Sequence, residues 1–85
     1  MTDSPLTVDF SGLILGFCSA ALTYLGYDGL PSGKNLTLAR QNIDIIEMLR
    51  QKTKGNLGPE ESRLIDEVLR DLHMKFVDAA KQANP

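Results

Sequence analysis

The feature that most constrains this chain is a run of eighteen residues, 10–27, that contains no charged side chain. Glycine, serine and threonine are mixed there with leucine, isoleucine and phenylalanine, without the strict alternation of a half-buried strand. The run therefore predicts a helix with almost no polar side. Such a helix leaves an apolar patch exposed unless partners cover it, and an exposed patch of this kind usually marks an interface.

Turn residues divide the chain into three helical stretches. Glycine and proline cluster at residues 26–33 and again at residues 55–59. The spacing predicts helix 1 over about residues 9–25, helix 2 over about residues 36–54 and helix 3 over about residues 59–82. We expect one domain over residues 1–85, with flexible ends at about 1–7 and 83–85.

Local residue types indicate where the first two helices begin and end. Thr7 or Asp9 is the expected N-cap of helix 1, and Gly26 is its expected left-handed stop. Asn35 is the expected N-cap of helix 2, which Gly55 is expected to end. These short-range signals predict the ends of helices 1 and 2, and the apolar patterns lie between those ends.

Helices 2 and 3 each show one broad apolar arc. The arc of helix 2 comprises Leu36, Leu38, Ala39, Ile43, Ile45, Ile46 and Leu49, and that of helix 3 comprises Leu64, Ile65, Val68, Leu69, Leu72, Phe76, Ala79 and Ala80. The chain is 42 % hydrophobic, enough for one small core. The predicted fold class is therefore all-α, a three-helix bundle-like domain that homo-oligomerisation completes.

A stripe of small residues follows helix 1 from Gly12 through Gly16 and Ser19 to Thr23. Small residues let two helix backbones approach closely, which offsets the roughly 1 kcal/mol that an interior glycine costs relative to alanine. The stripe fits packing against helix 2 or 3 of the same chain, against a second copy, or within a membrane. We predict self-association, through an interface that comprises Gly12, Leu15, Gly16, Ser19, Leu22, Thr23 and Asn42.

Asn42 falls within the apolar arc of helix 2. A buried amide needs hydrogen-bond partners, and a single one between helices can fix their register or oligomer state. The alternative interpretation, equally open, is a side chain at the margin of the arc that bonds to backbone or solvent.

The composition offers little for catalysis or metal binding. One cysteine and one histidine make neither a disulfide framework nor a dedicated metal site, and no phosphate-binding loop follows a strand. Cys18 is expected to be an inert buried thiol, and His73 to have a structural role. We therefore predict no enzyme activity, no cofactor and no metal.

Charge argues against a nucleic-acid partner. The chain has nine basic and eleven acidic residues, a net charge of −2. Residues 34–54 have five basic and two acidic side chains, and residues 55–85 have four basic and six acidic ones. These two stretches are expected to complement each other. The acidic residues near the start are unlike a signal peptide, so a cytoplasmic location is predicted.

Together these features predict a non-enzymatic, self-associating helical interaction or structural module. Its expected partner is a second copy of itself, with an unidentified protein partner as an addition. Two alternatives remain open. One is a membrane-associated protein anchored through helix 1, whose uncharged run reaches the roughly 17–25 residues of a spanning helix. The other is a small-molecule or lipid binder with an inter-helix pocket.

The chain also resembles a bacterial family of small proteins called domain of unknown function 1844. The resemblance covers roughly residues 8–78 and rests on FSGLILG at 10–16, LARQNIDIIEMLRQKTKGNL at 38–57 and EVLRDLHMKFV at 67–77. It implies a short, helical bacterial protein and provides no catalytic residue. One departure is Gly58, where a Ser or Thr cap is expected before Pro-Glu-Glu, because glycine caps a helix less specifically.

Overall fold

The computed structural model describes residues 8–27 and 34–83. Within these ranges the chain forms no strand and three helices: α1 (Phe10–Leu25), α2 (Leu36–Lys52) and α3 (Pro59–Ala83). Each helix packs against the other two, so the predicted all-α architecture is confirmed. Of the predicted flexible ends, residues 1–7 and 84–85 lie outside the described residues.

Local hydrogen bonds close α1 at both ends. Asp9 is the N-cap: its backbone is extended, and its side chain accepts a hydrogen bond from an N–H of the first turn at 2.7 Å. The alternative cap, Thr7, lies outside the described residues. Gly26 has the left-handed φ of 91°, and the N–H of Tyr27 donates to the carbonyl oxygen of Leu22 at 2.9 Å. This is the Schellman arrangement, which stops a helix.

α2 begins as expected and ends two residues early. The side chain of Asn35 caps it by accepting a hydrogen bond from the first turn at 3.0 Å. At the other end, the N–H and the hydroxyl of Thr53 both donate to the carbonyl oxygen of Leu49, and the N–H of Lys54 donates three residues back instead of four. The helix therefore ends before Gly55, whose φ of 87° belongs to the following turn.

α3 begins with Pro59 and is fixed from inside the helix. The carboxylate of Glu61 accepts a hydrogen bond from the N–H of Gly58 at 2.9 Å. This bond is one half of a capping box, in which a side chain of the first turn reaches back to the capping residue. Glu61 therefore holds the start of the helix although Gly58 has no side chain to do so.

Apolar side chains from all three helices form one core. The buried members are Ile14, Ala21 and Leu25 of α1; Ala39, Ile43 and Ile46 of α2; and Ile65, Val68, Leu69, Leu72 and Ala79 of α3. Burying a large aliphatic side chain contributes about 1.5–3 kcal/mol to folding. α1 contributes three of these buried residues, and Phe10, Phe17, Cys18, Leu22 and Tyr24 are partly buried against the core. The opposite side of α1 is more exposed.

Candidate functional site

The side of α1 that is turned away from the core has no charged residue. Ile14, Ala21 and Leu25 share one side of the helix, as spacings of seven and four residues require. Successive residues are about 100° apart, so a residue two positions from a buried one lies nearly opposite it. We define the outer face of α1 as Gly12, Leu13, Leu15, Gly16, Ser19 and Thr23.

Most small residues of the outer face are exposed. Gly12, Gly16 and Ser19 are exposed, and Thr23 is half-buried. A Cβ atom added to Gly16 would meet no neighbouring heavy atom within 4 Å. At Gly16, the interpretation in which the stripe accommodates α2 or α3 of the same chain is therefore wrong.

The leucines of α1 divide between the outer face and the core. Leu13 and Leu15 expose 46 % and 50 % of their surface. Leu22, predicted to share an interface with Leu15, is half-buried and packs against the core. Leu22 therefore belongs with the core residues, whereas Leu15 is free to contact a partner.

A shallow groove separates α1 from α2 beside the outer face. Its volume is about 360 Å³, and it is lined by Gly12, Leu13, Gly16, Phe17, Ala20 and Asn42. Three of the predicted interface residues, Gly12, Gly16 and Asn42, therefore come together on this surface. Ser19 and Thr23 lie on the outer face but are not among the residues that line the groove.

The sequence-based interface omitted Leu13, although a signal for it was present. Leu13, Phe17 and Ala20 follow one another at spacings of four and three residues, which places them on one side of a helix. The exposure of Leu13 and its place in the groove make it part of the candidate surface.

Asn42 forms the α2 side of this groove. Its Nδ2 donates to the carbonyl oxygen of Leu38 one turn earlier at 2.9 Å, and the side chain is half-buried. Leu38 and Ile45, one turn away on either side, are also only half-buried. The prediction that these two residues belong to a buried arc is corrected, because the core takes up only one side of that arc. Asn42 lies at its margin.

An ion pair joins α2 to α3. The Arg50 guanidinium contacts Glu47 at 3.1 Å and Asp66 at 2.8 Å, and these hydrogen bonds, the one to Glu47 first, raise the pKa of Arg50. The Arg50–Asp66 pair joins the basic middle of the chain to its acidic end, as the charge distribution indicates. A neighbouring polar cavity of about 420 Å³ is lined in part by this pair.

Cys18 is a poor candidate for a nucleophile. It is half-buried on α1; burial raises the pKa of its thiol, the carboxylate of Asp71 raises it further, and the ammonium of Lys75 opposes both. A thiol with a raised pKa has little of the reactive thiolate at neutral pH. His73 is exposed on α3, and the described part of the chain contains no group of three or more His, Cys, Asp or Glu residues that could hold a metal ion.

Across residues 8–27 and 34–83, no helix combines the length and the apolar character needed to cross a membrane. The sixteen residues of α1 extend over about 24 Å at 1.5 Å per residue.

The fold and its exposed surface define a class: a small all-α protein whose least polar helix leaves an uncharged apolar side open. The sequence matches the family model described as Domain of unknown function (DUF1844) over residues 7–78. The chain therefore belongs to this family, and the resemblance seen in its sequence is confirmed. No curated protein and no solved structure matches the chain.

Proposed function

We propose that this chain is a non-enzymatic interaction module that self-associates through the outer face of α1. One observation supports the proposal above all others: α1 contains no charged residue, yet Leu13 and Leu15 each leave about half of their surface exposed. Covering apolar surface is favourable by about 25 cal/mol per Å². A partner on the outer face would gain this free energy without separating any charge from water.

A second copy of the chain fits this face electrostatically. The net charge of −2 makes two copies repel each other over much of their surfaces, whereas the outer face contributes no charge to that repulsion. A partner with acidic or basic residues at the contact would find no opposite charge there and would lose its hydration. The chain itself provides one matching surface, an equally uncharged outer face.

The outer face also combines projections and hollows. Gly12 and Gly16 have no side chain, so the helix surface is recessed at these positions, and the side chains of Leu13 and Leu15 project beside them. Helices pack closely when the ridges of one enter the grooves of the other. In a two-fold pair each copy presents the same surface, so a leucine of one copy can occupy the open space over Gly16 of the other.

The second candidate is an apolar small molecule or lipid chain in the groove between α1 and α2. The groove volume of about 360 Å³ is near the lower end of the roughly 300–1,000 Å³ of small-molecule sites. Those sites bury most of their ligand, whereas this groove is open to solvent along its length. The open shape favours a second helix as the occupant.

The test is the absolute mass in detergent-free solution, measured by light scattering coupled to size exclusion over a tenfold concentration range. We expect a dimer or a larger assembly instead of a 9.3 kDa monomer. Gly16→Leu should abolish this association. Within one chain the added side chain enters open space, but at a close contact between two helices it would hold the backbones apart. Gly16→Ala is the matched control and should still associate, since alanine is small enough for that contact.

Two results would contradict the proposal. A wild-type monomer at every concentration would show that the outer face stays uncovered in the isolated protein. A Gly16→Leu variant with unchanged mass would show that association uses another surface. Flotation of the wild-type chain with liposomes would favour the membrane alternative, and a groove ligand that persists through purification would favour the small-molecule alternative.

A further inference from the structure

We propose that the cavity between the end of α2 and the start of α3 binds a small phosphate monoester that has a short apolar group. The cavity has a volume of about 420 Å³, and its lining includes Arg50 of α2, Lys54 of the following turn and Ser62 of α3. This volume is within the roughly 300–1,000 Å³ of small-molecule sites. None of the lining residues belongs to α1, so the proposal is independent of self-association through the outer face.

The lining of the cavity is positively charged although the whole chain is acidic. Arg50 and Lys54 are its cations and Asp66 is its one carboxylate, whereas the chain has a net charge of −2. Asp66 already accepts a hydrogen bond from Nε of Arg50 at 2.8 Å. The acidic residues in the first turn of α3, Glu60 and Glu61, are not among the lining residues. The cavity therefore favours an anion.

The turn after α2 places Lys54 at the cavity without a counter-charge. The N–H of Asn56 donates to the carbonyl oxygen of Thr53 at 2.8 Å, which closes a turn with Lys54 and Gly55 at its two central positions. The φ of 87° at Gly55 is the positive value that favours glycine at the third position of a turn. Within residues 8–27 and 34–83, Lys54 forms no ion pair. An anion in the cavity would provide the missing partner.

Several lining residues also have hydrogen-bond donors without an acceptor. Arg50 uses two of its five N–H groups in its ion pairs, so three remain. The hydroxyl of Ser62 and the backbone N–H groups of Gly55 and Leu57 have no acceptor in the described part of the chain. A carboxylate has two oxygens, whereas a phosphate monoester has three terminal oxygens and nearly two negative charges at neutral pH. The number of free donors therefore favours a phosphate.

Leu57 and Ile65 give the cavity an apolar part. Ile65 is buried in the core, and Leu57 packs against the core from the segment between α2 and α3. Small-molecule sites commonly combine apolar lining with a few polar groups that fix the orientation of the ligand. An apolar group attached to the phosphate would displace water from these side chains, which is favourable. The class of ligand that fits is therefore a phosphate monoester and not the free ion.

The test is a titration of the isotope-labelled full chain, followed by NMR of its backbone amides, with phenyl phosphate, inorganic phosphate and phenol as probes. Phenyl phosphate should shift the amide signals of Gly55 and Leu57 until they saturate, with a Kd at least about threefold below that of inorganic phosphate. Phenol has no charge and should give no saturable shift at these residues. Lys54→Gln should raise the Kd for phenyl phosphate about tenfold, because it removes a charged donor to the phosphate.

Lys52→Gln is the matched control, because Lys52 is an equally charged, exposed residue two positions away that does not line the cavity. It should change Kd by less than about twofold, since water and salt screen its charge from the ligand. Asp66→Asn should lower Kd, because it removes the one negative charge from the lining. Circular dichroism should show every variant folded.

Four results would overturn the proposal. They are equal losses of affinity in Lys54→Gln and Lys52→Gln, saturable shifts confined to other residues, the same Kd for phenyl phosphate as for inorganic sulfate at matched ionic strength, and no shift at all. Flotation with vesicles that contain phosphatidic acid, without a response to phenyl phosphate, would also contradict it, because the ligand would then be a lipid headgroup instead of a small soluble ester.

Discussion

The two sides of α1 are both uncharged, but their surroundings differ. On the inner side Ile14 and Ala21 are fully buried and Leu25 nearly so, whereas on the outer side Leu13 and Leu15 expose about half of their surface. The sides differ in the distribution of volume, because the outer side includes glycine and serine between its leucines. α1 therefore places Ile14 and Leu25 in the core and leaves the side that contains Gly12 and Gly16 exposed.

The largest expected difference between the two sides comes from removing a side chain. Ile14→Ala should lower the free energy of unfolding by about 2–5 kcal/mol, because it leaves a cavity in the packed core. Leu15→Ala, one residue along, should change it by less than about 0.5 kcal/mol, because half of that side chain is already in water. Urea denaturation followed by circular dichroism measures both, at a protein concentration low enough to limit association.

Equal losses of unfolding free energy in Ile14→Ala and Leu15→Ala would contradict the difference between the two sides of α1. They would mean that Leu15 is as well packed as Ile14 within one chain. A loss for Leu15→Ala that grows with protein concentration would instead locate its contacts between chains, as the proposed interface requires.

Enlarging a side chain should produce a smaller difference in stability between the two sides of α1 than removing one. Ala21→Leu should destabilise the fold by about 1–3 kcal/mol, because Ala21 has no exposed surface and the added atoms must displace neighbours. Gly16→Ala should stabilise the single chain by about 0.5–1 kcal/mol, because the methyl group enters open space and alanine favours the helix. Thermal denaturation of both variants beside the wild type checks the opposite signs. A destabilised Gly16→Ala would mean that the outer side is covered within the chain.

The same contrast explains which parts of the structure the sequence could predict. The capping side chains of Asp9 and Asn35 act on N–H groups three residues away, and Gly26 stops α1 through its own backbone, so their signals are local. The predicted end of α2 lies two residues too far along the chain, because Thr53 and Gly55 both signal a helix end there. The Thr53 side chain and backbone close the helix before Gly55 is reached.

The candidate site was harder to predict because burial depends on the other helices. Charged residues on α2 and α3 indicate which side faces water, but α1 has none. Leu15 and Leu22 therefore look alike in the sequence, although one is exposed and the other packs on the core. Asn42 was identified by its position in an apolar arc. Whether it lay at the centre or the margin of that arc depended on how α1 packs against α2.

The smallest expected effect concerns Cys18, which lies on the inner side of α1, four residues after Ile14, and is half-buried against the core. Burial and the Asp71 carboxylate raise the pKa of its thiol, so iodoacetamide should alkylate the native protein at neutral pH severalfold more slowly than the urea-unfolded chain. Asp71→Asn should speed the native reaction, because it removes a negative charge and releases Lys75 from its ion pair, and both changes lower the thiol pKa. Asp78→Asn, at an exposed position further along α3, is the control and should leave the rate unchanged.

Cys18 is not part of the outer face, so the alkylation rate should also be independent of protein concentration while the mass rises with association. A rate that falls as copies associate would move Cys18 into the contact and widen the outer face toward α3.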